Sequence, residues 1–270
     1  MILYKYYGYS SGLNALKSGN LGFRKPKYFN DPFELSYLSN SDGNSSKITV
    51  LKTRLDQFRD SVAILSLTRT PDNPLMWAHY GEEHKGFVIG YDASDKFLSS
   101  HDYNLIPATS GDVVYTNTKS SHFLDPDTMR RVHEIYLSSL GGKNIKDPET
   151  VSLVRKIFLT KHASWVYEEE VRVVRNIDSI FMESRDFQSD PLRSYYNITE
   201  ETSPGFSKEK IPGLSIFNHI SKIKEIYLGL RNPLIQSEKF DEIHRFDFPQ
   251  IFTFQMNERS WSLKRKKIII

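Results

Sequence analysis

Three ionisable side chains at alternate positions, Glu168, Glu170 and Arg172, stand inside the stretch WVYEEEVRVV, residues 165–174. Aromatic and β-branched residues frame the acids, a composition that fits a pleated, half-buried surface, so the spacing predicts a strand. Alternation then places Trp165, Tyr167, Val171 and Val173 on one face with Glu169, and Glu168, Glu170 and Arg172 on the other, with roughly 7 Å between alternate residues. Turned toward a pocket, two carboxylates and a guanidinium can move a proton or stabilise a developing charge. Turned toward water, the same face is an ordinary solvated surface with a cross-strand ion pair. Lys161 bears on the choice. It falls four residues beyond Ile157 and three beyond Phe158, on the apolar stripe of the preceding helix. A cation there needs a partner unless it snorkels from the helix end, and the acids of the next element are the available partner.

Other residues of chemical interest lie upstream. Asn30-Asp31-Pro32 is a turn signal inside a two-proline loop, residues 25–34, where both polar side chains can bond nearby amides. Asn73 caps, and Pro74 opens, a short helix carrying Met76, Trp77 and Tyr80 at spacings of three and four. Such an aromatic stripe is more often core than a ligand platform, and both readings stay open. His79 and His84 have no third partner at metal-ligand spacing, so no metal is expected from them.

The elements that must position these groups follow from periodicity. Strands are expected over Ile2 to Tyr7, Leu21 to Arg24, Ser61 to Thr68, Lys85 to Asp92, Asp112 to Thr116 and Ile223 to Leu230, with a closing hairpin of Ile251 to Gln255 and Ser260 to Ile270. Helices are expected from Ser10 to Gly19, over Lys47 to Asp60, from Asp125 to Leu140, after Asp147-Pro148, and from Asn232-Pro233 to about His244. Residues 184–212 are polar, hold three prolines and give little signal. The pattern is α+β: one β-rich domain over residues 1–270, of two packed, mostly antiparallel sheets with short helices inserted.

Composition narrows the function classes. The chain has 36 basic and 33 acidic residues, a formal +3, which argues against a surface that binds nucleic acid all over but leaves room for a local basic patch. The run Lys264-Arg265-Lys266-Lys267 is such a patch, or else a solvated edge that discourages aggregation. There is no cysteine, which removes disulfides, thiolate zinc sites and cysteine nucleophiles together. No apolar run approaches the ~18 residues of a membrane span and no leader is evident, so a cytoplasmic protein without a membrane partner is expected.

Several motifs together carry a resemblance. LYKYYG at residues 3–8, YFNDPFE at 28–34, NPLMWAHYGEEHKGFVIGYD at 73–92, WVYEEEVRVV and IKEIYLG at 223–229 resemble the bacterial family catalogued as domain of unknown function 2971, over most of the chain to about residue 230. A second, weaker resemblance is to the ADP-ribosyltransferase fold. It rests on the opening strand and helix, on Ser66 and Thr68 at the middle strand, and on Glu168 or Glu170 at the late strand. The first strand carries Lys5 where that fold has histidine or arginine.

The second resemblance implies an NAD-consuming enzyme that transfers ADP-ribose to a nucleic acid or protein, or to water, in a toxin or antiviral setting. NAD would be its substrate. Glu170 would stabilise the oxocarbenium-like state of the breaking ribosyl bond, and Glu168 would orient or deprotonate the acceptor. Tyr6, Trp77 and Tyr80 would stack the rings, Lys5, Lys161 or Arg172 would offset the pyrophosphate, and Asn30 and Asp31 would fix a loop over the pocket. Glu170→Gln is expected to stop NAD turnover and leave the melting temperature nearly unchanged. Two other readings stay open. One is a metal-dependent nuclease with Asp31, Glu34, Glu168 and Glu170 as oxygen ligands. The other is a non-enzymatic module in which the rings bind a nucleotide or protein and the acids only hold Lys161 and Arg172.

Overall fold

The computed structural model describes residues 1–33, 53, 56–118, 126–141, 145, 147–177, 190, 192–203, 206–237, 243 and 250–268. Glu34 and most of the helix expected over Lys47 to Asp60 lie outside these residues, although residues 56–60 are helical.

In chain order the strands are β1 (Ile2–Tyr7), β2 (Asn20–Arg24), β3 (Val62–Thr68), β4 (Phe87–Asp92), β5 (Val114–Thr116), β6 (Thr160–His162), β7 (Glu170–Asn176), β8 (Tyr195–Asn197), β9 (Thr199–Ser203), β10 (Phe206–Glu209), β11 (Leu214–Ile220), β12 (Ile223–Leu228), β13 (Gln250–Met256) and β14 (Leu263–Ile268). The helices are α1 (Tyr9–Ser18), α2 (Pro74–Tyr80), α3 (Lys96–Ser99), α4 (Pro126–Gly141), α5 (Pro148–Leu159) and α6 (Pro233–Ser237). The strand-rich α+β class expected from periodicity is the observed one. The polar stretch 184–212 nonetheless holds β8, β9 and β10, short strands with too few apolar residues to show alternation.

Ten strands form one sheet in the order β14-β13-β12-β4-β1-β3-β2-β11-β8, with β7 added to β3. All pairs are antiparallel except β12 with β13. The two sheets expected are therefore joined, but narrowly. β1 runs beside β4 for six register pairs, β3 runs beside β7 for seven, and between β1 and β3 the register holds the single pair Tyr4 with Thr68. Two further sheets are two-stranded, β9 with β10 and β5 with β6.

Register fixes which side chains share a face, because directly paired residues point the same way. Leu3, Leu65, Leu67, Val171 and Val173 enter the largest core with Phe23, Phe97 and Phe217. The opposite face carries two smaller cores. One packs Ile64 and Val174 under α4 and α5 through Val132, Ile135, Ile157 and Phe158. The other packs Tyr4, Tyr6, Val88 and Tyr227 against Met76 and Trp77 of α2.

Asn73 sets the position of α2. Its side-chain oxygen accepts from the amides of Leu75 and Met76 (2.9 and 3.3 Å), and its Nδ2 donates to the carbonyl of Tyr167 (2.8 Å). One residue thus caps the helix and ties it to the segment that precedes β7. Asn73→Ala is expected to lower unfolding free energy by about 1–2 kcal/mol, the cost of a lost cap plus a hydrogen bond. Asn73→Ser, which restores the cap but is too short to reach Tyr167, should fall between in a urea titration.

Candidate functional site

β7 begins at Glu170, and Ala163–Glu168 is a 3-10 helix ended by Glu169 in the left-handed region (φ 43°, ψ 47°). The strand expected from Trp165 is therefore shorter by five residues. A turn before the strand brings Glu168 to the same side as Glu170, where strand alternation was expected to do so. Glu169, at the apex, is exposed.

From Glu170 onward the register builds one face. Thr68 pairs with both Tyr4 and Glu170, and Ser66 pairs with Arg172. Tyr4, Tyr6, Ser66, Thr68, Glu170 and Arg172 consequently look the same way, between the two smaller cores. A cavity of about 190 Å³ lies there, walled by these residues and by Phe29, Asn30, Met76, Tyr80, Lys161 and Glu168. Lys5, on the other face of β1, reaches the same space where β1 and β3 part, its Nζ 3.4 Å from the carbonyl of Ser66.

The charges are buried and paired: Arg172 is 0%, Glu168 4%, Glu170 6% and Lys161 8% exposed. Lys161 Nζ donates to Glu168 Oε2 (2.5 Å) and Glu170 Oε2 (3.2 Å). Arg172 forms a fork on Glu170, Nε to Oε1 (2.9 Å) and Nη2 to Oε2 (3.0 Å), while Nη1 donates to the carbonyl of Phe158 (2.7 Å). Tyr80 donates its hydroxyl to Glu168 Oε1 (2.7 Å), and the amide of Glu170 donates to the hydroxyl of Tyr115 (2.9 Å). Trp165 lies under Lys161, with Nζ 5.0 Å from its ring centre.

These surroundings separate the two acids. Burial alone would raise Glu170, but the charges of Arg172 and Lys161 and hydrogen bonds from Arg172 and Ser66 outweigh it and hold the carboxyl down to about 2. Glu168 is raised above its usual range, because burial and the charge of Glu170 outweigh Lys161 and Tyr80. Burial also lowers the Lys5 ammonium to about 8. A pair of carboxyls whose proton affinities are driven apart is the arrangement by which one acid stays ionised while its neighbour exchanges a proton.

Of the residues expected at the site, Lys5, Tyr6, Asn30, Ser66, Tyr80, Lys161, Glu168, Glu170 and Arg172 all border the cavity. Two do not. Trp77 is fully buried in the core, stacked on His84 and edge-on to Tyr6, its Nε1 donating to the carbonyl of Pro71 (2.8 Å). A residue that satisfied and that enclosed has no face left for a ligand. Asp31 accepts from the amide of Phe33 (2.9 Å) and serves its own turn, while Asn30 Nδ2 comes to 3.5 Å from the Tyr80 hydroxyl. Lys161 and Arg172 border the cavity, but their bonds go to the acids. Phe29 and Tyr115 were not foreseen. Phe29 packs over the Arg172 guanidinium at 5.8 Å. Tyr115 arrives on β5, which pairs in parallel with β6, a long-range contact with no local sequence signal.

The burial of Glu170 overturns the expectation that Glu170→Gln leaves stability unchanged. The amide would leave Lys161 and Arg172 short of charge in a dry site, at a cost of about 3–5 kcal/mol. A carboxyl depressed on folding contributes stability that is complete above the ordinary value of 4.5 and is lost as pH falls toward about 2. The gap in urea midpoint between the wild-type chain and Glu170→Gln should therefore be widest above pH 4.5 and close progressively below it; a gap independent of pH would contradict the pairing.

Comparison with curated proteins and with solved structures finds no match to the chain. The chain does match one family model, over residues 76–173, which run from α2 to Val173 of β7 and hold Tyr80, Lys161, Glu168, Glu170 and Arg172. That model is of the family described as protein of unknown function, DUF2971.

Proposed function

We propose that the cavity binds the nicotinamide–ribose end of NAD and cleaves the bond between them, passing ADP-ribose to a macromolecular acceptor or to water. The observation that carries this reading is the pair of buried glutamates, one held ionised and the other raised, facing a ring-lined cavity. Cleavage of a ribosyl C–N bond develops positive charge on the sugar as nicotinamide leaves with the bonding electrons. An ionised carboxylate stabilises that charge. Glu170 accepts from Arg172 through both oxygens and from Lys161 through one. With the hydrogen bond from Ser66 these fill the roughly four acceptor sites of a carboxylate, so Glu170 acts on the ribose through its charge. Glu168, with its raised proton affinity, takes the proton of the incoming hydroxyl or water, and Tyr80 and Lys161 keep it aimed.

The size of the cavity limits how much of NAD enters. A space of about 190 Å³ takes the nicotinamide and its ribose, and the pyrophosphate and adenosine extend past Lys5 and Asn30. Tyr6, Tyr80 and Phe29 supply ring surfaces for the nicotinamide. A toxin or defence role belongs to this reading only as its biological setting.

The nuclease reading fits the residues less well. Glu168 and Glu170 are already bonded to Lys161 and Arg172, and a divalent ion would have to displace the ammonium. Asp31 is committed to its own loop.

Glu168→Gln is the discriminating variant, because the isostere keeps the side chain's shape and Lys161 keeps Glu170 as its partner. Purified protein incubated with NAD should release nicotinamide, and Glu168→Gln should slow release by about 100-fold or more, the usual scale of a lost general base, with a smaller loss of stability than Glu170→Gln because Glu170 still pairs Lys161. NAD bound and recovered intact by the wild-type protein would point to a recognition module and overturn the proposal.

A further inference from the structure

At the far end of the large sheet, β13 and β14 form a hairpin whose tip projects beyond the cores. Trp261 at the tip is fully exposed, and Met256 beside it is 78% exposed. The tip is firmly built. The Asn257 amide donates to the carbonyl of Ser262 (3.1 Å), the Arg259 amide donates to Asn257 Oδ1 (3.0 Å), and the hydroxyls of Ser260 and Ser262 are 2.7 Å apart. An indole held outward by an ordered turn is a costly surface feature, since burying it would gain more than any other side chain could.

The charge around it has one sign. Arg259, Lys264, Arg265, Lys266 and Lys267 are exposed along the tip and β14, and Glu258 is the acid among them. Arg265 bonds Asp72 (3.1 Å); among the described residues no ion pair engages Arg259, Lys264, Lys266 or Lys267. Among the described residues β14 is the outermost strand of the sheet, so these cations line its edge. Lys267 pairs with Phe252, Phe252 with Tyr227, Tyr227 with Val88 and Val88 with Tyr6, so Lys267 points from the same face of the sheet as the cavity-lining Tyr6, whereas Lys264 and Lys266 point from the other, and the edge presents cations on both sides.

We propose that this hairpin is a docking edge for single-stranded nucleic acid, with Trp261 stacking on a base and Lys264, Lys266, Lys267 and Arg259 meeting the phosphates. Charge complementarity selects a polyanion, and the exposed ring selects one with unpaired bases. A lipid surface is less well matched, because one indole and one thioether offer little apolar area for insertion beside so many cations. The inference stands independently of the reading of the cavity, since binding is measured without NAD.

The test uses the full-length chain and a fluorescently labelled oligothymidine, read by anisotropy at two salt concentrations, with vesicles containing phosphatidylserine as a parallel arm. The wild-type chain should bind the oligonucleotide with salt-sensitive affinity. Trp261→Ala should weaken binding about ten-fold, the scale of one lost base–aromatic stack. Lys264→Ala with Lys266→Ala should flatten the logarithmic salt dependence by about 0.7 for each cation removed. All three residues are exposed, so melting temperatures should match the wild type. No oligonucleotide binding at low salt, equal binding by all variants, or tighter binding to the vesicles than to the oligonucleotide would each overturn the assignment.

Discussion

Four charges that have left water must neutralise one another, and the centre of this molecule is arranged to satisfy that condition. Lys161, Glu168, Glu170 and Arg172 come from two strands and a 3-10 turn, and each is bonded to at least one of the others. Desolvating any one of them alone would cost several kcal/mol, more than a single interaction elsewhere in the fold could offset. The quartet is tolerated because its charges sum to zero and because neutral groups take up the remaining hydrogen bonds: the Phe158 carbonyl, the Tyr80 hydroxyl and Ser66. Such a site is stiff. Moving one member exposes the others to an unpaired, dry environment, so geometry is held by electrostatics as well as by packing.

That condition explains why the backbone bends where it does. Glu168 and Glu170 flank a residue in the left-handed region, a conformation that costs a side-chain-bearing residue roughly 1–2 kcal/mol. The cost falls on Glu169, which is exposed and free of packing demands. A second left-handed run follows α2, where Glu82, Glu83 and His84 have φ of 49°, 52° and 69°. It is anchored from outside: Glu82 accepts from the amide of Tyr9 (2.6 Å), and the carbonyl of His84 accepts from the amide of Arg231 (2.9 Å). Gly86 completes the turn by close approach, since a Cβ there would sit 1.9 Å from the carbonyl oxygen of Tyr7. The tight return brings β4 back beside β1 and seats His84 on Trp77. Trp77 in turn fixes α2, and with it the Tyr80 hydroxyl on Glu168.

Much of this was legible in the sequence, and the reasons it was legible differ from residue to residue. Lys161 announced itself because a cation on an apolar stripe requires a partner, a rule of burial that holds whatever the secondary structure. The convergence of Glu168 and Glu170 was reached through strand alternation, although a 3-10 turn accomplishes it. Both geometries put residues i and i+2 within reach of one ammonium, so composition alone did not distinguish them. Trp77 was misassigned because spacing on a helix reports a shared side without reporting whether that side meets a cavity or a core. Tyr115 and Phe29 were invisible, since each depends on a contact between segments far apart in the chain. The strands between residues 195 and 209 escaped notice because their residues are chiefly polar, leaving no alternation to read.

The position of the cavity follows from the sheet itself. A continuous ladder between β1 and β3 would bring their backbones to roughly 4.8 Å along their whole length and close the space between them. Here the ladder narrows to Tyr4 with Thr68, because β7 fills one edge of β3 along seven residues and the other edge is shared with β2, which pairs at Ile64. Beyond that pair the strands part, and side chains fill the gap in place of hydrogen bonds: Lys5 from β1, Ser66 from β3, and the charged quartet from beyond. A polar cluster could not be placed in the middle of a fully hydrogen-bonded, two-sided core without leaving donors unmet. At the junction of two sheet halves, the backbone carbonyls of Ser66 and Phe158 are available to receive Lys5 and Arg172. The junction therefore serves as both a weak point of the ladder and a region between the cores where ionised groups face a cavity.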